Sequence, residues 1–222
     1  MPVSAIIVAA GSSTRMGFDK LAAPLAGIPV LQRTLAAFQA AASITEIIVV
    51  CPPERWELLE IAGSKPIRRV DGGATRQDSV ANGLAALSPT ATLVAVHDGA
   101  RPLTSPADID RCVQAAAAAA HRAVALARRV TETLKRSDAA DCCLESVPRE
   151  HLWFMETPQV FEVTLLRQAY SAVAARHLTV TDEVSAVQAI GAPVKFIESA
   201  HPNPKITCPA DLVLAAAILT HP

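Results

Sequence analysis

Apolar residues fall along this chain in two kinds of block. Short, nearly unbroken runs occur at Val3 to Val8, Thr45 to Cys51, Thr92 to Val96 and Ala123 to Ala127, as expected of strands buried on both faces of a parallel sheet. Longer stretches with helical apolar spacing separate them: Val30 to Ala42, Gln77 to Leu87, Pro106 to Ala120, Val163 to Ala175 and Pro209 to Leu219 read as helices. Glu54 to Ile61 and the stretch from Thr181-Asp182-Glu183 through Ile190 also read as helical, and Pro66 to Val70 and Val194 to Ile197 as short strands. Pro24, Gly27 and Pro29 make Lys20 to Pro29 an irregular link, Pro52 and Pro53 stop the second strand, and Ser105 before Pro106 is placed to cap a helix. Strand alternating with helix requires crossovers, so the pattern predicts an α/β fold with a mostly parallel sheet flanked by helices.

The alternation loosens between Arg128 and Arg149, where R-V-T-E-T-L-K-R and C-C-L-E-S-V-P-R flank a polar turn at Ser137 to Asp141. Two short alternating stretches joined by such a turn predict a projecting β-hairpin arm over about 128–150. An arm of this kind needs something to cover it, which suggests a dimer. Leu152 to Phe161 returns to the body of the protein. With no internal repeat and no separating linker, residues 1–222 read as one domain.

Twenty basic and 21 acidic residues leave a net charge of -1, so nothing global argues for nucleic acid or an anionic membrane as partner. The chain opens directly on an apolar strand with no basic segment before it, and no run of about 18 apolar residues follows, which predicts a cytoplasmic protein. Cys51, Cys112, Cys142, Cys143 and Cys208 are odd in number and lack C-x-x-C spacing, against both a disulfide framework and a zinc site. The run Ala115 to Ala120 suits a helix better than a disordered tract.

Candidate chemistry gathers where predicted strands end. After Val8 the chain reads A-A-G-S-S-T-R-M-G-F-D-K, in which small residues let backbone N–H groups approach a polyanion and Arg15 and Lys20 supply cations. Neither G-x-x-x-x-G-K-[ST] nor G-x-G-x-x-G can be read from Gly11 and Gly17. A glycine turn beside two solvated charges would have the same local sequence. D-G-G-A-T-R-Q-D-S-V, at Asp71 to Val80, brings Gly73 and Ser79 to a helix start; H-D-G-A-R-P, at His97 to Pro102, brings Asp98, Gly99 and Arg101 to the end of a strand. T-D-E is by itself a helix cap, Arg149 and Lys205 are by themselves surface charges, and His97 and His151 lack the spaced partners of metal ligands.

The opening loop resembles the signature of sugar-phosphate nucleotidyltransferases. Together with V-D-G-G-A-T-R-Q-D-S-V, H-D-G-A-R-P, R-V-T-E-T-L-K, R-E-H-L-W, T-P-Q-V-F, T-D-E-V-S-A and N-P-K-I-T, it resembles the 2-C-methyl-D-erythritol 4-phosphate cytidylyltransferases over nearly the whole chain. The resemblance implies a Rossmann-like nucleotidyltransferase fold, a homodimer joined by the arm, and transfer of CMP from CTP to 2-C-methyl-D-erythritol 4-phosphate, giving 4-diphosphocytidyl-2-C-methyl-D-erythritol and pyrophosphate. It assigns Arg15 and Lys20 to the α-phosphorus, and Arg149 and Lys205 to the acceptor phosphate, with Arg149 a candidate to act in the partner's site. Ala9, Ala10, Gly11, Gly73, Ser79, Gly99 and Arg101 are expected around CTP, and Asp98, Thr133 and Thr181 around the acceptor. Mg²⁺ is expected on the triphosphate, with no protein ligand named. Two readings compete: a cytidylyltransferase for another polyol phosphate, such as ribitol 5-phosphate, and a silent nucleotide-binding scaffold.

Overall fold

The computed structural model describes residues 1–12, 16–118 and 121–220. In chain order the strands are β1 (Val3–Val8), β2 (Pro24–Leu25), β3 (Ile28–Pro29), β4 (Glu46–Val50), β5 (Ile67–Val70), β6 (Leu93–Asp98), β7 (Ala123–Arg129), β8 (Leu134–Ser137), β9 (Cys143–Val147), β10 (Trp153–Glu162) and β11 (Lys195–Glu198). The helices are α1 (Val30–Ala40), α2 (Pro53–Trp56), α3 (Arg76–Ala85), α4 (Pro106–Ala117), α5 (Val163–Ala175), α6 (Glu183–Gln188) and α7 (Pro209–Thr220). Seven strands form one sheet in the order β11-β7-β10-β6-β1-β4-β5. Its pairings are parallel except those of β10, which runs antiparallel to both β6 and β7.

Both faces of this sheet are covered, which is why the central strands β1, β4 and β6 are mostly apolar runs rather than alternating ones. Leu31, Leu35 and Phe38 of α1 and Ile109 and Val113 of α4 pack on one face. On the other lie Val80 and Leu84 of α3, Leu166 and Ala169 of α5, and Val184 and Val187 of α6. Ser105 caps α4 as expected, accepting a hydrogen bond from the Asp108 N–H at 3.0 Å.

Three local departures have physical causes. The helix expected over Glu54 to Ile61 shrinks to α2, because Leu58 and Ile61 are 59% and 47% exposed and give a longer helix no apolar face to bury. The link Lys20 to Pro29 contains the small β2–β3 hairpin. The return segment Leu152 to Phe161 becomes β10, a full central strand. The arm is as expected: β8 and β9 pair in a sheet of their own, and residues 135–146 are all exposed. Residues 119–120, at the end of the predicted Pro106 to Ala120 helix, lie outside the described residues.

Candidate active site

Strand order reverses at β1. From β1 the chain moves outward through β4 to β5 and then returns to β6 on β1's other side. The connections leaving β1 and β6 therefore diverge at their carboxyl ends, where Val8 and Asp98 are the last register partners, and open a cleft. Its first compartment, about 360 Å³, is lined by Ala9, Ala10, Gly11, Lys20, Gly73, Ser79, Asp98 and Lys205, among others.

Two loops make the walls of this compartment. The loop after β1 is tied to the sheet by the Ala9 N–H, which donates to the Val50 carbonyl at 2.8 Å. Facing it, α3 opens with a capping box in which Thr75 Oγ1 accepts from the Asp78 N–H and Asp78 Oδ2 accepts from the Thr75 N–H. The positive end of that helix thus points at the cleft, a favourable place for phosphate. Gly72 is needed where the loops meet, since a Cβ there would lie 2.3 Å from Ala10 Cβ. Ser79 Oγ holds the turn by accepting from the Gly73 N–H at 3.1 Å and donating to the Thr75 carbonyl at 2.9 Å.

A row of charges crosses the cleft floor. Lys205 Nζ donates to Asp98 Oδ2 at 2.8 Å, and Arg76 Nε donates to Asp98 Oδ1 at 3.2 Å. The Arg76 fork continues to both oxygens of buried Glu183, at 2.7 and 3.0 Å, and the Tyr170 hydroxyl donates to the same carboxylate at 3.0 Å. Burial alone would raise the Asp98 pKa, but Arg76, Lys205 and Arg101 outweigh it and hold the carboxyl well below the usual range. Asp98 is therefore an ionised acceptor at neutral pH. Burial also pulls on Arg76, yet Glu183 and Asp98 raise it above its ordinary value and keep it cationic.

Arg76, Asp98 and Lys205 also line a second compartment of about 300 Å³, together with Arg101 and Thr181. The structure thus brings Ala9, Ala10, Gly11, Lys20, Gly73 and Ser79 to one compartment, Thr181 to the other, and Asp98 and Lys205 to both. Arg101, expected beside the nucleotide, instead lines the second, pinned by the Asn203 carbonyl at 2.7 Å and the Met155 carbonyl at 3.1 Å. Gly99 lines neither. It is buried in the wall between β6 and α1, its N–H donating to the Val8 carbonyl at 2.9 Å, and a Cβ there would sit 3.0 Å from Leu31 Cδ1. Thr133 and Arg149 are exposed near the base of the arm and reach neither compartment, the Arg149 guanidinium donating to the Thr131 carbonyl. Arg15 lies outside the described residues.

His97 is structural: its Nδ1 meets Thr157 Oγ1 at 2.9 Å and its Nε2 meets the Arg101 carbonyl at 3.2 Å. Burial pushes its pKa down to about 3, so the ring is neutral. Among the described residues no cluster of three or more His, Cys, Asp or Glu side chains is placed to hold a metal ion. Arg76 is a site residue that local sequence does not disclose, since its main partner lies 107 residues away. The available signal was its position, a cation opening the helix that faces the glycine loop. T-D-E reads locally as a helix cap; Asp182 is that cap, accepting from the Ser185 N–H at 2.9 Å, and Glu183 is the buried anchor of Arg76.

A doubly covered, mostly parallel sheet with a cation-lined cleft at its switch point, split between a glycine-loop compartment and a second polar one, is an architecture suited to a nucleotidyltransferase. A family model described as IspD, 2-C-methyl-D-erythritol 4-phosphate cytidylyltransferase, matches residues 3–221. The chain belongs to that family. It is 43% identical over 219 residues to the 2-C-methyl-D-erythritol 4-phosphate cytidylyltransferase of Prochlorococcus marinus, covering 96% of each chain. To that of Pelotomaculum thermopropionicum it is 40% identical over 225 residues, covering 98% of this chain and 94% of the other. The crystal structure of 4-diphosphocytidyl-2C-methyl-D-erythritol synthase from Anaerococcus prevotii superposes with a TM-score of 0.87 at 31% identity, covering 99% of this chain and 96% of that one.

Proposed function

We propose that the cleft transfers CMP from CTP to 2-C-methyl-D-erythritol 4-phosphate, giving 4-diphosphocytidyl-2-C-methyl-D-erythritol and pyrophosphate. The observation that carries this reading is the sharing of Arg76, Asp98 and Lys205 by two adjoining compartments, which lets one group of charges serve both substrates where they meet. CTP takes the first compartment, with its base and ribose near Gly73, Ser79 and Ala10 and its phosphates toward Lys20. The acceptor takes the second, where ionised Asp98 accepts from its hydroxyls and Lys205, Arg101 and Thr181 surround it.

An oxygen of the acceptor phosphate attacks the α-phosphorus of CTP, and the bond to the bridging α–β oxygen breaks as pyrophosphate leaves. The attacking oxygen is already anionic, so no general base is needed. The protein contributes alignment and positive charge around the phosphorus as charge spreads over its oxygens. Lys20 and Arg15 are assigned that role, and Lys205 the steering of the acceptor. Among the described residues lining the first compartment the carboxylate is Asp98, already paired with Lys205 and Arg76. These residues fit Mg²⁺ carried by the phosphates of CTP rather than by a protein cage, where it would lower the charge of the triphosphate.

The site also takes side chains from a second copy. The exposed arm carries Thr133 and Arg149 away from their own cleft, and α7 leaves Val213 and Leu214 73% and 53% exposed, an apolar face suited to a homodimer. Among the described residues no helix is long and apolar enough to cross a membrane. The test is pyrophosphate release from CTP and Mg²⁺ with methylerythritol phosphate and ribitol 5-phosphate supplied separately. Turnover with the first alone is expected. Turnover with ribitol 5-phosphate alone would reassign the acceptor, and silence with both would leave a nucleotide-binding scaffold.

A further inference from the structure

Arg55 stands outside the cleft, yet it touches both ends of the loop that makes the nucleotide wall. It belongs to α2, directly after β4, the strand beside β1. Its guanidinium is buried and makes three contacts: Nη1 donates to the Ala9 carbonyl, Nη2 to the Gly11 carbonyl at 3.3 Å, and Nε to Asp19 Oδ2 at 2.9 Å. The other oxygen of Asp19 accepts from the Leu21 N–H at 3.0 Å, so the carboxylate brackets Lys20. One side chain therefore joins residues 9–11, where the loop leaves the sheet, to residues 19–21, where it ends.

The consequence follows from peptide geometry. In a trans peptide the C=O and the following N–H point in opposite directions. With the Ala9 and Gly11 carbonyls turned toward Arg55, the N–H groups of Ala10 and Ser12 are turned away from it. Ala10 and Ser12 both line the first compartment, and Arg55 does not. A planar fork can serve several oxygens at once, whereas an ammonium is a point charge that cannot span them.

We propose that Arg55 is a positioning residue for the nucleotide: it sets the outward carbonyls of the glycine loop so that the loop's N–H groups face the phosphates, and through Asp19 it fixes Lys20 beside them. This rests on the reading of the first compartment as the CTP site. Arg55 touches no substrate. Its effect belongs to the binding and alignment of CTP and leaves the acceptor compartment alone.

The experiment measures CTP affinity by titration without acceptor, and KM for each substrate, in the wild type and in Arg55→Met, Arg55→Lys and Asp19→Asn, with circular dichroism and thermal unfolding as checks on folding. Arg55→Met is expected to weaken CTP binding and raise the KM for CTP by about tenfold or more, while the acceptor KM stays within about twofold, because a buried set of charge-assisted bonds is lost on the nucleotide side alone. Arg55→Lys is expected not to restore CTP affinity, and Asp19→Asn to show a smaller loss in the same direction. Folded Arg55→Met with wild-type CTP affinity, full rescue by Lys, or equal loss toward both substrates would overturn the proposal. If Arg55→Met does not fold, the other two variants decide it, and wild-type CTP affinity in both overturns it. A wild-type protein that neither binds nor turns over CTP would sink the functional reading and this inference together; active wild type with indifferent variants would sink only this one.

Discussion

His97 carries a pH dependence that sets in at higher pH than that of its neighbour Asp98. In the unfolded chain an imidazole titrates near pH 6.5; in the fold, burial keeps it neutral down to about 3. Between those values the unfolded state binds more protons, so this residue's contribution to stability falls as pH falls through that window, by about 1.4 kcal/mol per pH unit. Asp98, held below its ordinary carboxylate value, keeps its contribution above the unfolded pKa of about 3.8 and loses it only at lower pH. His97→Gln keeps a hydrogen-bonding side chain and removes the titration. Urea unfolding at a series of pH values should give a shallower acid limb for the variant between about pH 6 and 4. Parallel limbs would mean that His97 does not set the slope. At this scale the sequence disclosed residues whose role is local, such as Gly73 beside Ser79, and hid those whose role depends on a distant partner. Arg76 and Arg55 carry no local signature of their roles, because Glu183 and the Ala9 carbonyl cannot be brought near them by local pattern.

Among the elements, α3 is the one whose depth sets the cleft, since Thr75, Arg76 and Ser79 sit in its first turns and Gly73 just before it. That depth is fixed where Gly83 lies on β1: a Cβ there would be 2.7 Å from Ile6 Cγ2 and 3.1 Å from Cδ1, with Ile6 fully buried. Alanine is the better helix former by up to about 1 kcal/mol. Overpacking a rigid β-branched side chain in a closed core costs about 1–3 kcal/mol, so the contact wins. Gly83→Ala should lower the unfolding free energy measured in urea, and an unchanged or higher midpoint would show that α3 has room to spare. Strands and helices with a clear period were legible in the sequence alone. Direction was not: L-W-F-M-E-T-P-Q-V-F is apolar enough for a central strand, but only its neighbours β6 and β7 determine that it runs antiparallel.

For the whole molecule, the decisive question is whether the arm of one chain completes the cleft of another. If Thr133 and Arg149 serve the neighbour's cleft, a dimer of one Lys20→Ala chain and one Arg149→Ala chain has one site with both lesions and one with neither. Random pairing of two such inactive chains should then restore up to about a quarter of all sites, measured as pyrophosphate release after coexpression or subunit exchange. Mixtures as inactive as their components would return Arg149 to its own chain. The sequence announced the arm through its alternation and polar turn, and the need to cover it, but no local pattern could say that Arg149 is out of reach of its own cleft.

The reversed strand has a further consequence, for biogenesis. The strands β1, β4, β5 and β6 follow one another in the chain and pair side by side, so this half of the sheet can assemble as soon as the first hundred or so residues have emerged from the ribosome. The edge of β6, with buried Val94 and Val96, stays unpaired until the arm has been synthesised and β10 returns to cover it. Thr181 and Lys205 come later still. A nascent chain stalled within the arm therefore presents a half-built sheet with an open apolar strand edge, of the kind that pairs with other chains.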